Sequence, residues 1–407
     1  MEKSTMIPVE EALKIVLEHT PALGTETVDL MGALGRTLAE DVQSDMNMPP
    51  FDKSAMDGYA VVAADTERAS GARPVVLEVL EEIPAGKMPT QRISSGRASR
   101  IMTGAPLPDG ADSVIMVEFT AREGDDRVQL FEPVEKGKNV CYLGEDIQLG
   151  QVVLKAGALI RPQEVGVLAS VGVSKVSVIR QPEVSIITTG SEIVEPNFTP
   201  KPSQIRNSNG YSMSAQAMEA GARVRYLGIS DDTTPELKEK VLEGLQSDIL
   251  MLSGGVSVGD YDLVEDTLQA CGVETLFGLV RMKPGKPTTF GVRGTTLVFG
   301  LAGNPVSTMV GFELFVRPAI RKMQRSKETG RPVVDALLDH DFRKRPGRRQ
   351  FAPARTVFSE GGWRTAIVES HGSADLLAMT EADSLAIIPE EYGRLNAGDM
   401  VKVLLLG

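Results

Sequence analysis

Between residues 182 and 325 short apolar runs alternate with segments of helical period, and this alternation restricts the fold more than any other feature of the chain. Residues 184–190, 223–229, 249–252 and 295–301 carry strand-like runs, and residues 209–220, 234–246, 263–270 and 306–325 carry helical ones. Strands that are apolar along their whole length, each followed by a helix, predict a mostly parallel sheet covered on both faces. That is a three-layer α/β domain, placed at residues 182–329. A chain of 407 residues is too long for one core of this kind. Residues 47–139, rich in Gly, Pro and short alternating runs, predict a β-rich second domain. Residues 1–46 and 140–181 form a discontinuous first domain, opened by a helix with Pro8 at its start and Val9, Ala12, Leu13, Val16 and Leu17 on one face. Residues 330–407 predict a small C-terminal domain with the strand and turn signals of a β-barrel. The fold class expected is therefore multidomain α/β.

In an open parallel sheet, ligands bind outside the carboxyl ends of the strands. Polar residues gather at those ends here. Ser253, Gly254, Gly255, Ser257 and Gly259 follow the third strand run and lead into a helix, with Asp260 and Asp262 beside them. Glycines that break a strand into a helix point free N–H groups at one spot, and the helix dipole favours an anion there. Carboxylates next to such a spot suit a hydrated divalent cation. A tight turn with solvated acids would show the same residues. Glu192 follows the first strand run, Asp231 and Asp232 the second, and Gly303, Asn304 and Pro305 the last. Lys283 and Lys286 bracket a Pro-Gly pair ahead of a further strand. Taken one by one, these read as helix caps, loop acids, surface charges and a structural stop. Their convergence on one rim describes an anion site with a cation site beside it.

Composition narrows the class. A net charge of −12 leaves no basic excess for nucleic acid. Cys141 and Cys271 are too few for a disulfide framework or a thiolate cage, which suits the cytoplasm. His19, His340 and His371 are far apart in sequence, so any metal is expected to have oxygen ligands. No apolar run approaches the ~18 residues that span a bilayer, and the first residues do not form a signal peptide. The basic cluster Arg343-Lys344-Arg345-Pro346-Gly347-Arg348-Arg349 reads as a solvated hairpin, or as a guide for an anion through Arg348 or Arg349.

Residues 253–262, 283–287 and 303–307 resemble the molybdopterin-binding domain. Two further segments, 48–60 (Met-Pro-Pro-Phe-Asp-Lys-Ser-Ala-Met-Asp-Gly-Tyr-Ala) and 100–106 (Arg-Ile-Met-Thr-Gly-Ala-Pro), resemble the MoeA family over nearly the full length. That resemblance implies insertion of molybdate into adenylylated molybdopterin with release of AMP, in the last step of molybdenum cofactor biosynthesis, with magnesium required. It implies a homodimer in which the second domain closes over the other subunit's active site, with the molybdopterin adenylyltransferase as a further partner. By the same resemblance Asp57, Thr103, Glu192, Asp231 and Asp262 are catalytic, and Glu192, Asp231 and Asp262 hold the metal. Ser253, Gly254, Gly255, Ser257, Gly259, Lys283, Lys286, Gly303, Asn304, Pro305 and Ser373 bind substrate. Ala302 stands where the family often has Pro, and Ser191 where Asp is frequent. Asp57-Gly58 alone would pass for a hairpin turn. A binding module without turnover and an adenylylating enzyme of the same fold remain the alternatives.

Overall fold

The computed structural model describes residues 6–231, 234–254 and 263–407. The chain divides into two compact units, one of Met1–Val28, Gly32–Ala39 and Ser177–Gly407, the other of Asp29–Met31 and Glu40–Val176.

In the first unit, helix α1 (Val9–His19) precedes a six-stranded sheet. Its strands are β1 (Glu183–Thr189), β2 (Arg223–Ser230), β3 (Ile249–Ser253), β4 (Glu274–Leu279), β5 (Pro287–Arg293) and β6 (Thr296–Leu301), in the order β2-β1-β3-β6-β5-β4. The pairs β1–β2, β1–β3 and β3–β6 are parallel. Helices α2 (Asn209–Glu219), α3 (Thr234–Gly244), α4 (Leu263–Ala270) and α5 (Pro305–Gly311) cross over between or follow the strands.

Alternate side chains of the central strands enter two separate cores. Val184, Ile186, Ile249, Met251, Leu297 and Phe299 join α1, α2 and α5 on one face. Ile187, Leu250, Leu252 and Val298 join α3 and α4 on the other. This is the physical content of a strand apolar along its length: both faces are covered, so no position wants to be polar.

The parallel expectation is corrected at one edge. Here β5 turns back at Gly294 (φ +59°) into β6, and β4 pairs antiparallel with β5. A two-residue turn leaves no room for the helix that a parallel connection needs. The segment expected as one helix from 306 to 325 is also interrupted. A π-helical turn at Phe312–Val316 separates α5 from α6 (Arg317–Met323).

The C-terminal strands β7 (Val333–Leu338), β8 (Arg349–Ser359), β9 (Gly362–Ile367), β10 (Ser384–Ile388) and β11 (Met400–Leu405) pair in the ring β8-β9-β7-β11-β10, and β10 closes it by pairing with β8. Closure removes the exposed edges and encloses a small core of Ala336, Leu338, Ala354, Ile388 and Val403. Phe351, Leu385 and Leu404 of the same barrel reach into the core beneath the α/β sheet.

The second unit contains a mixed six-stranded sheet with strands in the order Ser113–Met116, Gly58–Val61, Arg97–Ile101, Val75–Ile83, Arg127–Leu130, Thr120–Glu123. Tyr59, Leu77, Ala98, Ile115, Val128 and Leu130 fill one face, and Ala60, Ile83, Ile101 and Val114 the other. At the start of helix Pro162–Ser170 the Glu164 carboxylate accepts from the Arg161 N–H and guanidinium, and the guanidinium holds that carboxyl down at about 2.

Candidate active site

The strand order reverses between β1, which runs to β2 on one side, and β3 on the other; such a reversal opens a crevice at the strands' carboxyl ends. A cavity of about 1230 Å³ lies there, lined from β1, β3 and β6 and, across it, from the barrel by His340, Phe342, Arg348, Gln350 and Phe351.

Close backbone approach shapes the floor. Gly254 has φ +100°, and a Cβ there would stand 2.3 Å from the Thr189 carbonyl oxygen. Only glycine fits. Gly303 comes alongside, with the Cα of Gly254 3.7 Å from where its own Cβ would be. Asn209, the first residue of α2, ties these loops together: its Nδ2 donates to Ser253 Oγ at 2.7 Å and to the Gly303 carbonyl at 2.7 Å. Pro305 takes the first position of α5, where its missing N–H costs nothing. Asn304 Nδ2 donates to Ser373 Oγ at 2.8 Å, and the Val306 N–H to the Ser373 carbonyl at 3.0 Å, so the barrel loop is docked on the start of that helix.

The cationic rim has an equally local origin. Gly285 (φ +91°) permits the turn between the two lysines, and Thr288 Oγ1 donates to its carbonyl at 2.8 Å. Met282–Lys283 then pairs in parallel with Arg349 and Gln350 at the start of β8. Lys283, Lys286 and Arg348 line the cavity, and among the described residues none forms an ion pair. Burial lowers the nearby Lys344 ammonium from its ordinary value, and the charge of Lys283 works in the same direction against Glu390 and Glu391. Cations crowded at one rim, without ion pairs among the described residues, create a local field that favours negative charge.

The basic cluster is therefore not a uniformly solvated hairpin. Arg348 lines the cavity, whereas Arg349 pairs with Glu10 and, at 3.3 Å, with Glu390. Lys344 Nζ donates to the Arg348 carbonyl at 2.8 Å.

Glu192 lines the cavity, and its loop is pinned: Ile193–Val194 pairs with Ile205–Arg206, while Glu195 accepts from Tyr226 at 2.7 Å and Tyr211 at 3.0 Å. Asp231 is exposed at the end of β2, on the same rim, but outside the cavity lining. Gly255, Ser257, Gly259 and Asp262, together with Asp232, lie outside the described residues. Among the described residues, no three His, Cys, Asp or Glu side chains converge as a metal cage. The carboxylates of the described lining are Glu192 and Glu369.

In the second unit, the Thr103 N–H and hydroxyl both donate to Asp57 Oδ1, each at 2.7 Å. These two bonds hold the Asp57 carboxyl below its ordinary value. Asp57-Gly58 is not the turn of a hairpin, because Gly58 opens a strand whose neighbour is Ser113–Met116. A Cβ on Gly58 would lie 1.9 Å from the Ile115 carbonyl oxygen.

Sequence reasoning did not single out Thr189 or Asn209. An asparagine at a helix start passes for a cap, and only the amide-rich run Asn207-Ser208-Asn209 hinted otherwise.

Three family profiles match in succession: MoeA N-terminal region (domain I and II) over residues 7–172, a probable molybdopterin binding domain over 185–322, and MoeA C-terminal region (domain IV) over 335–406. A molybdopterin molybdenumtransferase of Bacillus subtilis is 38% identical over 100% of this chain and 95% of its own length. The chain belongs to the MoeA family. A Staphylococcus aureus relative of the same name is 35% identical over 100% of this chain and 97% of its own. The crystal structure of a molybdopterin biosynthesis MoeA protein from Pyrococcus horikoshii superposes with a TM-score of 0.82 at 33% identity, covering 99% of this chain and 100% of that one. The multidomain α/β architecture is thus that of the MoeA family.

Proposed function

We propose that this chain is a molybdopterin molybdenumtransferase of molybdenum cofactor biosynthesis, acting on molybdate and adenylylated molybdopterin and releasing AMP. The observation that carries this reading is the set of cations Lys283, Lys286 and Arg348, without an ion pair among the described residues, around a cavity large enough for a dinucleotide-sized anion in a chain of net charge −12. Lys283 and Lys286 offset the charge of the pyrophosphate, and Gly254 with Gly255, Ser257 and Gly259 supplies backbone donors to it. Gly303 lies alongside Gly254, and Asn304, at the Pro305 helix start, and Ser373 continue the wall from there. Asp57, kept ionised by Thr103, is the proposed catalytic carboxylate. Carboxylates suit a hard cation, and Glu192 of the lining, with Asp231 on the same rim and Asp262 by the family resemblance, are the proposed magnesium ligands. Bound there, magnesium would polarise the phosphate oxygens as a Lewis acid.

A homodimer belongs to the same reading. In the second unit the adjacent segments around Phe51, Met56, Tyr142, Leu143 and Leu149 expose apolar side chains, with Leu149 at 66% and Leu143 at 52%. The Leu143 N–H donates to Asp52, which keeps the two segments together. A patch of this kind on a soluble surface calls for a cover, and a second copy supplies it. The division into domains at 1–46 with 140–181, 47–139, 182–329 and 330–407 is part of the proposal, as are docking of the molybdopterin adenylyltransferase and a cytoplasmic place for two free cysteines. Among the described residues no helix is long and apolar enough to cross a membrane.

The deciding experiment incubates the purified chain with adenylylated molybdopterin, molybdate and magnesium. AMP release that requires molybdate and stops on chelation is expected. Retained binding without turnover would leave a binding module, and consumption of ATP would point to adenylylation.

A further inference from the structure

The cavity also holds a group that an anion cannot satisfy, the acceptor-only oxygen of an amide. Among the described residues, Thr189 Oγ1 and Asn209 Oδ1 are buried on its floor without a hydrogen-bond partner, in side chains only 1% and 6% exposed. Gln350 Oε1 on the barrel wall is likewise unpartnered. The orientation of the Asn209 amide follows from its neighbours. The Gly303 carbonyl can only accept, so the nitrogen must face it, and the oxygen is turned away. A buried acceptor left without a hydrogen bond destabilises a fold, so its retention points to a partner supplied by a ligand. Gly254 brings the two groups into one place, since a Cβ on it would stand 2.9 Å from Thr189 Oγ1 while Asn209 bonds its neighbour Ser253.

Phosphate oxygens and molybdate are acceptors and leave an amide oxygen unsatisfied. What satisfies it is an N–H. We propose that Thr189 and Asn209 form the station that reads the N–H edge of the substrate's heterocycle, the aminopyrimidinone of the pterin, an inference that rests on the molybdopterin reading above. Asn209 Oδ1 accepts from the ring or exocyclic N–H, and the Thr189 hydroxyl accepts from the second N–H or donates to the ring carbonyl. Val306, Phe351 and Val368 supply apolar surface in the same cavity for the ring faces. The lysine rim and this floor thereby divide the ligand: charge at one end, heterocycle at the other.

Asn209→Ala would also cut the ties to Ser253 and Gly303, so the decisive variant is Thr189→Val, which is isosteric and removes an oxygen on which nothing in the protein depends. Calorimetric titration with 6-hydroxymethylpterin and, separately, with AMP reads the two halves of the substrate. Thr189→Val is expected to melt at the same or a higher temperature, to bind the pterin about tenfold more weakly, and to bind AMP unchanged. Thr189→Ser restores the hydroxyl and the pterin affinity. Unchanged pterin binding in Thr189→Val, weakening of AMP alone, or a wild type that does not bind the pterin overturns the assignment. A wild type that binds the pterin through Thr189 but releases no AMP would instead overturn the transferase reading and leave the station standing.

Discussion

Asp57 receives both hydrogen bonds of Thr103 on a single oxygen, and its lowered value has a direction that can be checked. With the folded value below the unfolded one, the contact favours the folded state above the ordinary carboxylate range and ceases to do so as pH falls through the lowered value. Thr103→Val keeps the N–H and loses the hydroxyl, so the acid limb of the kcat/KM profile should move to higher pH. Asp57→Ala should lower the melting temperature no more than Thr103→Val does and lower turnover by about 10²–10⁴-fold; a loss of turnover that only tracked unfolding would make it a structural residue. Lys283→Ala should weaken AMP binding about tenfold with no change in melting. Gly254→Ala meets both a positive φ and the Thr189 carbonyl, and should cost about 1–3 kcal/mol in urea unfolding. Asp57 and the lysines were visible in the chain because their glycine and proline neighbours mark them. Thr189 was less legible: Gly190 follows it, but as the last residue of an apolar strand it reads as part of that strand's end.

Helices and strands show the same division between local and long-range information. The alternation from β1 to β6 was legible because burial on both faces leaves a continuous apolar run, and α2 ends beside Gly221 as expected. The antiparallel edge was not, because a two-residue turn at Gly294 is a small signal against a strong alternating pattern. Helix 306–325 hid another feature. Glu313 sits in the run Phe312–Val316, 5% exposed, accepting from Gln216 Nε2 at 2.9 Å and pairing with Arg317 at 3.3 Å and Arg331 at 2.9 Å. Its partners come from three other parts of the chain, so periodicity could only read it as a break in an apolar face. Glu313→Ala takes one carboxylate from Arg317 and Arg331, which Glu219 still meets at 3.1 and 2.8 Å, and leaves the Gln216 amide short of an acceptor; it should cost about 1–3 kcal/mol, measured by urea unfolding.

On the scale of the whole molecule, the exposed apolar segments at 51–56 and 142–149 predict a dimer mass by light scattering, and Leu149→Glu together with Leu143→Glu should yield monomer. The barrel cannot be treated as an appendage, because Phe351, Leu385 and Leu404 belong to the core beneath the sheet. The ladder joining Met282–Lys283 to Arg349–Gln350 extends this dependence to recognition. Side chains of a strand alternate by residue, so a slip of one position in that short ladder would swing the lysine from the cavity to the opposite side. The barrel thus acts as a jig for an ammonium group it does not itself carry. Selection on β8 could retune the affinity for an anion with no change in any side chain that meets one.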